Sequence, residues 1–109
     1  MGEAQRVFHD VWRETRGNDG YVSFELDPLL EDPSQNLSHE ERVERYVELG
    51  KLWSSGHENR MIKVPATTAG IPAIHQLIGS GVNINVTLIF GLDNYRAVAE
   101  AYVSGLETL

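Results

Sequence analysis

The sequence predicts an α/β fold: three parallel strands with flanking helices, forming part of a (β/α)8 barrel of the TIM type. Two observations carry this. Runs of helix period and strand period alternate along the chain in the order α-β-α-β-α-β-α, and such alternation implies parallel strands joined by crossover helices. Each strand also pairs an apolar face with a polar one. Parallel sheets normally cover both faces with apolar packing. A polar face shared by three neighbouring strands therefore points to a barrel interior, with its chemistry at the carboxyl ends. A whole barrel takes roughly 250 residues. The 109 residues here are read as one partial barrel domain, 1–109, an internal piece with three of the eight strands.

The elements follow in order. Ala4, Val7, Phe8, Val11 and Trp12 recur at helical spacing, which predicts a helix over 3–16. Gly17-Asn18-Asp19-Gly20 ends it as a turn. Residues 21–26 alternate as a strand, with Val22, Phe24 and Leu26 on one face and Tyr21, Ser23 and Glu25 on the other. Pro28, Pro33 and the polar residues between them make a loop. Ser38-His39-Glu40-Glu41 is a capping box that opens a second helix. The apolar face of that helix is Val43, Tyr46, Val47 and Trp53, and Glu41 pairs with Arg45 one turn on. Residues 61–64 form the second strand, with Ile62 and Val64 opposed to Lys63. A third helix over 69–79 turns Ile71, Ile74, Leu77 and Ile78 inward and stops at Gly79-Ser80-Gly81. Residues 82–89 form the third strand. There Val82, Ile84, Val86, Leu88 and Phe90 share one face, and Asn83, Asn85 and Thr87 share the other. Tyr95, Val98, Ala99, Tyr102 and Leu106 mark a last helix.

Bulk composition excludes several classes. The net charge of -7 and pI near 4.9 argue against a nucleic-acid footprint. Thirteen of the sixteen acids fall in the first sixty residues and are read as a solvated face. There is no cysteine, hence no disulfide, thiolate nucleophile or cysteine metal site. His9, His39, His57 and His75 are scattered over helices and loops, so no metal site is expected. No apolar run approaches the ~18 residues of a membrane span. The first residues lack a signal-peptide core, so a cytoplasmic protein is expected.

The chemistry centres on one lysine, in Met61-Ile62-Lys63-Val64-Pro65-Ala66-Thr67-Thr68. A lysine in a short apolar strand either reaches out to water or is held for chemistry. Desolvation favours a neutral amine, and a neutral amine attacks carbonyls to form a Schiff base.

This segment resembles the Schiff-base lysine motif of the transaldolase family, (I/L)-K-(V/L)-(P/A)-(A/S)-T at the end of a barrel strand. Two further segments agree. Gly20-Tyr21-Val22-Ser23-Phe24-Glu25-Leu26-Asp27-Pro28 is similar to the strand bearing the family's catalytic glutamate. Asn83-Ile84-Asn85-Val86-Thr87-Leu88-Ile89-Phe90 is similar to its N-x-T-L-x-F strand. The resemblance spans roughly residues 20–106. It implies a pentose-phosphate-pathway transferase that moves a dihydroxyacetone unit from a ketose phosphate to an aldose phosphate, without metal or dissociable cofactor. It further implies Lys63 as Schiff-base nucleophile, Glu25 as proton donor through a water held by Thr87, and Asn85 bonded to a hydroxyl of the three-carbon unit. Thr67 and Thr68 are expected to cap the third helix.

The family's acid/base aspartate is expected upstream of this chain, and the phosphate-gripping arginine and serine downstream. The chain alone is therefore expected to be inactive. Two loop positions depart from many relatives: Leu29 in place of arginine and Gly91 in place of serine. Two alternatives stand beside the transaldolase reading. One is the fructose-6-phosphate aldolase branch, which usually carries glutamine in place of Glu25 and lacks the Asn85–Thr87 pattern. The other is a catalytically incomplete barrel fragment. The expected partners are sugar phosphates and either the missing barrel segments or further copies at the open sheet edges.

Overall fold

The computed structural model describes residues 2–109. Its elements run α1 (Gly2–Glu14), β1 (Val22–Glu25), α2 (His39–Ser54), β2 (Arg60–Pro65), α3 (Gly70–Gly79), β3 (Ile84–Thr87) and α4 (Leu92–Thr108). Two 3₁₀ turns, Pro28–Glu31 and Pro33–Gln35, bridge β1 to α2. The strands form one sheet in the order β1-β2-β3, with both pairings parallel. The predicted α/β order and the parallel sheet are therefore both present.

Local chemistry sets the element ends. Asp27 and Asp32 open the two 3₁₀ turns by accepting from the N–H groups of Leu29 at 3.0 Å and Ser34 at 2.9 Å. Ser38 caps α2 by accepting from the Glu41 N–H at 3.1 Å, as the capping box predicts. The N-cap of α3 is Ala69, which has no side-chain cap, and not Thr67 or Thr68 as expected; Thr67, two residues earlier, accepts from the Gly70 N–H at 3.0 Å.

Alternation along β2 divides the sheet. Ile62 and Val64 are fully buried and pack with Leu26, Tyr46, Ala73, Ile74, Leu77 and Ile78 in the core between sheet and helices. Met61, Lys63 and Pro65 lie on the opposite, half-buried face. Helices α3 and α4 approach closely at Gly105. A Cβ there would meet the His75 carbonyl oxygen at 2.8 Å and the Ile78 Cβ at 2.9 Å, so the pair packs this tightly only because the side chain is absent.

Three further expectations are corrected. The third strand stops at Thr87 and does not run to 89. Thr87 lies opposite Pro65, the last residue of β2, and its carbonyl takes the Ala66 N–H at 2.8 Å. Beyond that bond no strand remains to pair with, whatever the apolar pattern says. Leu88 turns out at φ 60°, and Phe90, read as part of the apolar face, is 87% exposed.

The face of α1 is the second correction. Val7, Phe8 and Val11 are exposed, and Gln5 is the buried residue of this helix. Helical period shows that a helix has two faces, but not which one meets the sheet. Here polar bonds decide. Gln5 Nε2 donates to Asn59 Oδ1 at 3.3 Å, Asn59 Nδ2 donates to the Gln5 and Gly20 carbonyls at 2.9 and 3.1 Å, and Arg60 Nε donates to Gln5 Oε1 at 2.7 Å.

The third correction concerns α4. It buries Val98, Ala101 and Gly105, while Tyr95, Tyr102 and Leu106 are exposed. Small residues win the inner face because α3 lies so near.

Candidate active site

Parallel pairing puts Glu25 opposite Lys63 and Lys63 opposite Asn85. The three residues form one row across the sheet, on the face turned away from the core. Adjacent strands lie about 4.8 Å apart, so the row spans roughly two such spacings with Lys63 in the middle. Lys63 is half-buried and Glu25 exposed. No salt bridge joins them among the described residues, where His9–Glu58 at 3.2 Å is the one found.

Thr87 sits one alternation further along β3 on the same face. With Lys63 and Glu25 it lines a cavity of about 370 Å³ at the carboxyl end of the sheet. The first residues after β1 and β3, Leu26 and Leu88, also line it. The structure thus brings Lys63, Glu25 and Thr87 together. Asn85 stands in the row beside Lys63, but its Nδ2 donates to Ser23 Oγ at 2.9 Å and it does not line the cavity. That bond links β3 to β1 over the intervening strand, which requires the sheet to be concave on this face.

Four polar residues of this region are not among the predicted site residues. Ser23 holds Asn85. Glu31, Tyr46 and Thr67 line the same cavity as Lys63. Tyr46 was read as an apolar-face residue of α2, and it is indeed 2% exposed. A buried tyrosine needs a partner for its hydroxyl, and this was the signal available in the sequence. Glu31 was read as part of the solvated acidic stretch. The 3₁₀ turn carries it inward instead. Arg42 Nε secures that turn against α2 by donating to the Leu30 carbonyl at 2.6 Å.

Burial raises the Tyr46 hydroxyl well above the usual tyrosine range, and the Glu31 charge beside it adds to the shift. The neutral phenol is therefore favoured in the folded chain. Because the folded value lies above the unfolded one, the stability this contributes is complete below the ordinary tyrosine pKa of 10.0. It is lost as pH rises above that value. Thermal melts from pH 8 to 11 are expected to show stability falling above pH ~10, with a shallower fall in Tyr46→Phe. An identical slope in that variant would show that Tyr46 ionises freely.

A larger open crevice of about 740 Å³ lies beside the N-terminal end of β2. Its polar groups are largely spent on one another: Gln5 on His57 and Asn59, and His9 on Glu58. In a barrel that end serves stability and the carboxyl end serves chemistry, so the lysine cavity is the candidate site. Among the described residues no group of three His, Asp or Glu is placed to hold a metal. No helix there is long and apolar enough to cross a membrane.

Three parallel strands with crossover helices, carrying a lysine between a carboxylate and an amide on one face, define a partial (β/α) barrel. The sequence profile described as Transaldolase/Fructose-6-phosphate aldolase matches residues 2–107, and the chain belongs to that family. It is similar to Transaldolase 2 of Streptomyces avermitilis, at 42% identity over 105 residues, 96% of this chain and 26% of the relative. Transaldolase of Trichodesmium erythraeum is 40% identical over 106 residues, again 96% and 26%. Transaldolase of Thermobifida fusca is 41% identical over 104 residues, 95% and 26%. The chain spans about a quarter of the length of these curated relatives.

Proposed function

We propose that this chain is the lysine-bearing part of a transaldolase that moves a dihydroxyacetone unit between sugar phosphates in the cytoplasm. The observation that carries the reading is the register. Lys63 lies between Glu25 and Asn85 in one row, at a cavity of about 370 Å³ that Thr87 also lines. In this reading the Lys63 amine adds its lone pair to the ketose carbonyl carbon and loses a proton. The resulting carbinolamine hydroxyl leaves as water after Glu25 supplies a proton through a water held by Thr87. The iminium then takes up the electron pair of the C3–C4 bond as the acid/base aspartate expected outside this chain takes the C4 hydroxyl proton. An aldose phosphate departs, and the enamine left on Lys63 adds to the acceptor aldehyde, whose oxygen receives that proton back. Hydrolysis frees the amine. Asn85 stands outside the cavity lining but next to Lys63 in the row, and reaches a hydroxyl of the three-carbon unit by giving up its bond to Ser23. The open edges of β1 and β3 pair with further barrel strands, because an uncovered edge invites association.

A carboxylate at position 25 favours transfer over the aldolase reading within the same family, whose members usually carry glutamine there. Borohydride treatment with fructose 6-phosphate tests the covalent step. The chain has two lysines, Lys51 and Lys63, and Lys51 is exposed on α2. A reduced secondary-amine adduct is expected on the Lys63 peptide. An adduct on Lys51 with Lys63 unmodified overturns the assignment.

A further inference from the structure

Thr87 sits at a strained end of the sheet. It is the last residue of β3. The next residue, Leu88, stands at φ 60°, a left-handed conformation that a side chain with a Cβ disfavours. Such a conformation persists only where the surroundings hold it in place. Thr87 and Leu88 both line the Lys63 cavity. If this strand end frays, the hydroxyl of Thr87 leaves the amine it is meant to serve.

The restraint passes through Ala66. Its N–H donates to the Thr87 carbonyl at 2.8 Å, and its own carbonyl accepts from Asn94 Nδ2 at 2.8 Å. Pro65 and Thr67, on either side of Ala66, line the cavity. Ala66 itself is buried, so water does not readily replace either bond. Asn94 belongs to the first turn of α4. The β3–α4 loop is thus pinned at both ends to one residue of the neighbouring chain segment. The Asn94 amide has a fixed orientation, because a carbonyl accepts and does not donate. Its Nδ2 faces Ala66, and its Oδ1 is left buried with no partner among the described residues. An apolar side chain would avoid that cost, so the position is not built for stability alone.

We propose that Asn94 is a positioning residue of the Lys63 site, which acts through Ala66 to hold Thr87 at the cavity. The inference rests on the reading of Lys63 as the Schiff-base amine and of Thr87 as holder of the water that relays the proton. Asn94 touches neither the amine nor the ketone. Its effect falls on the rate of imine formation and not on how tightly the ketone binds.

The test uses the 109-residue chain with dihydroxyacetone, trapped on Lys63 by borohydride. Initial trapping rates are taken over a range of ketone concentrations, well below the melting temperature of every variant. Wild type, Asn94→Ala, Asn94→Asp and Thr87→Val are compared, together with the double variant Asn94→Ala/Thr87→Val. Alanine favours helix, and aspartate keeps the shape of asparagine while losing its donor. Both single Asn94 variants are expected to lower the saturating rate about tenfold, as displaced catalytic groups do, with the half-saturating ketone concentration within twofold of wild type. Added to Thr87→Val, Asn94→Ala is expected to cause no further fall, since residues acting through one another are not additive. Saturating rates within twofold of wild type in both Asn94 variants overturn the proposal. So does an equal fall on the wild-type and Thr87→Val backgrounds, or loss of the fold in both variants, either of which leaves Asn94 a residue of general structure. Thr87→Val at the wild-type rate, or no Lys63 adduct in wild type, overturns the reading of the site itself, and each is seen without any change at Asn94.

Discussion

Lys63→Ala is expected to remove every borohydride-trapped ketose adduct from the chain. In a hybrid carrying residues 2–107 in place of the matching segment of Thermobifida fusca transaldolase, it is expected to lower transfer by about 10⁶, as seen when the nucleophile of a concerted group is removed. The size follows from the chemistry. No other side chain in the row can form a covalent bond to a carbonyl and then act as an electron sink. Lys63→Arg should fare no better, because guanidinium stays protonated and is a poor nucleophile. Mass spectrometry of trapped peptides and a coupled assay for aldose-phosphate transfer read the two effects. A Lys63→Ala hybrid that still turns over within tenfold of its parent would remove Lys63 from the mechanism. The 109-residue chain alone is expected to give adducts without transfer. Among its own residues the proposed cleavage base and phosphate grip are absent, and loss of a general acid–base group alone costs about 10²–10⁴.

Gln5→Leu is expected to be the most damaging change outside the core. Gln5 is 7% exposed and accepts from Arg60 Nε at 2.7 Å while donating to Asn59 and His57. Arg60 is itself buried, over the Phe24 ring at 5.2 Å, and its other bond goes to the Trp53 carbonyl. Leucine would leave a buried guanidinium nitrogen unpaired, which costs about 3 kcal/mol. Because the apolar stripe of α1 faces outward, little hydrophobic contact remains to hold the helix. For a chain of this size the melting temperature should fall by roughly 10–20 °C. Val7→Ser, at a position 71% exposed, should stay within about 0.5 kcal/mol. Equal melting temperatures for Gln5→Leu and wild type would show that the network carries no stability.

These two predictions differ in how readable they were beforehand. The α/β order, the parallel sheet and the shared face of Glu25, Lys63 and Thr87 follow from alternation alone, since period 2 fixes which side chains travel together. What alternation does not fix is the partner. The α1 stripe of Val7, Phe8 and Val11 was legible as a stripe, yet its orientation depended on Gln5 meeting Asn59 and Arg60 more than fifty residues away. Leu88 and Phe90 continued a strand pattern beyond the last residue able to pair. Glu31 was invisible as a site residue because its direction is set by a 3₁₀ turn, and turns leave no periodic trace. The bond from Asn85 to Ser23 likewise joins positions sixty-two residues apart, linked only by the curvature of the sheet.

The row through Glu25, Lys63 and Asn85 has a consequence for which sequence changes can survive. Side chains in a strand come in two phases, and shifting by one residue exchanges them. Deleting a single residue of β2 ahead of Lys63 would bring Val64 into the row and push the amine into the layer occupied by Ile62, against α2 and α3. Such a chain loses the proposed nucleophile and the core together. A two-residue change keeps the phase and forfeits only one rung. Length variation in this family is therefore expected to be odd or even without restriction in the loops, but even only within the strand that carries the lysine.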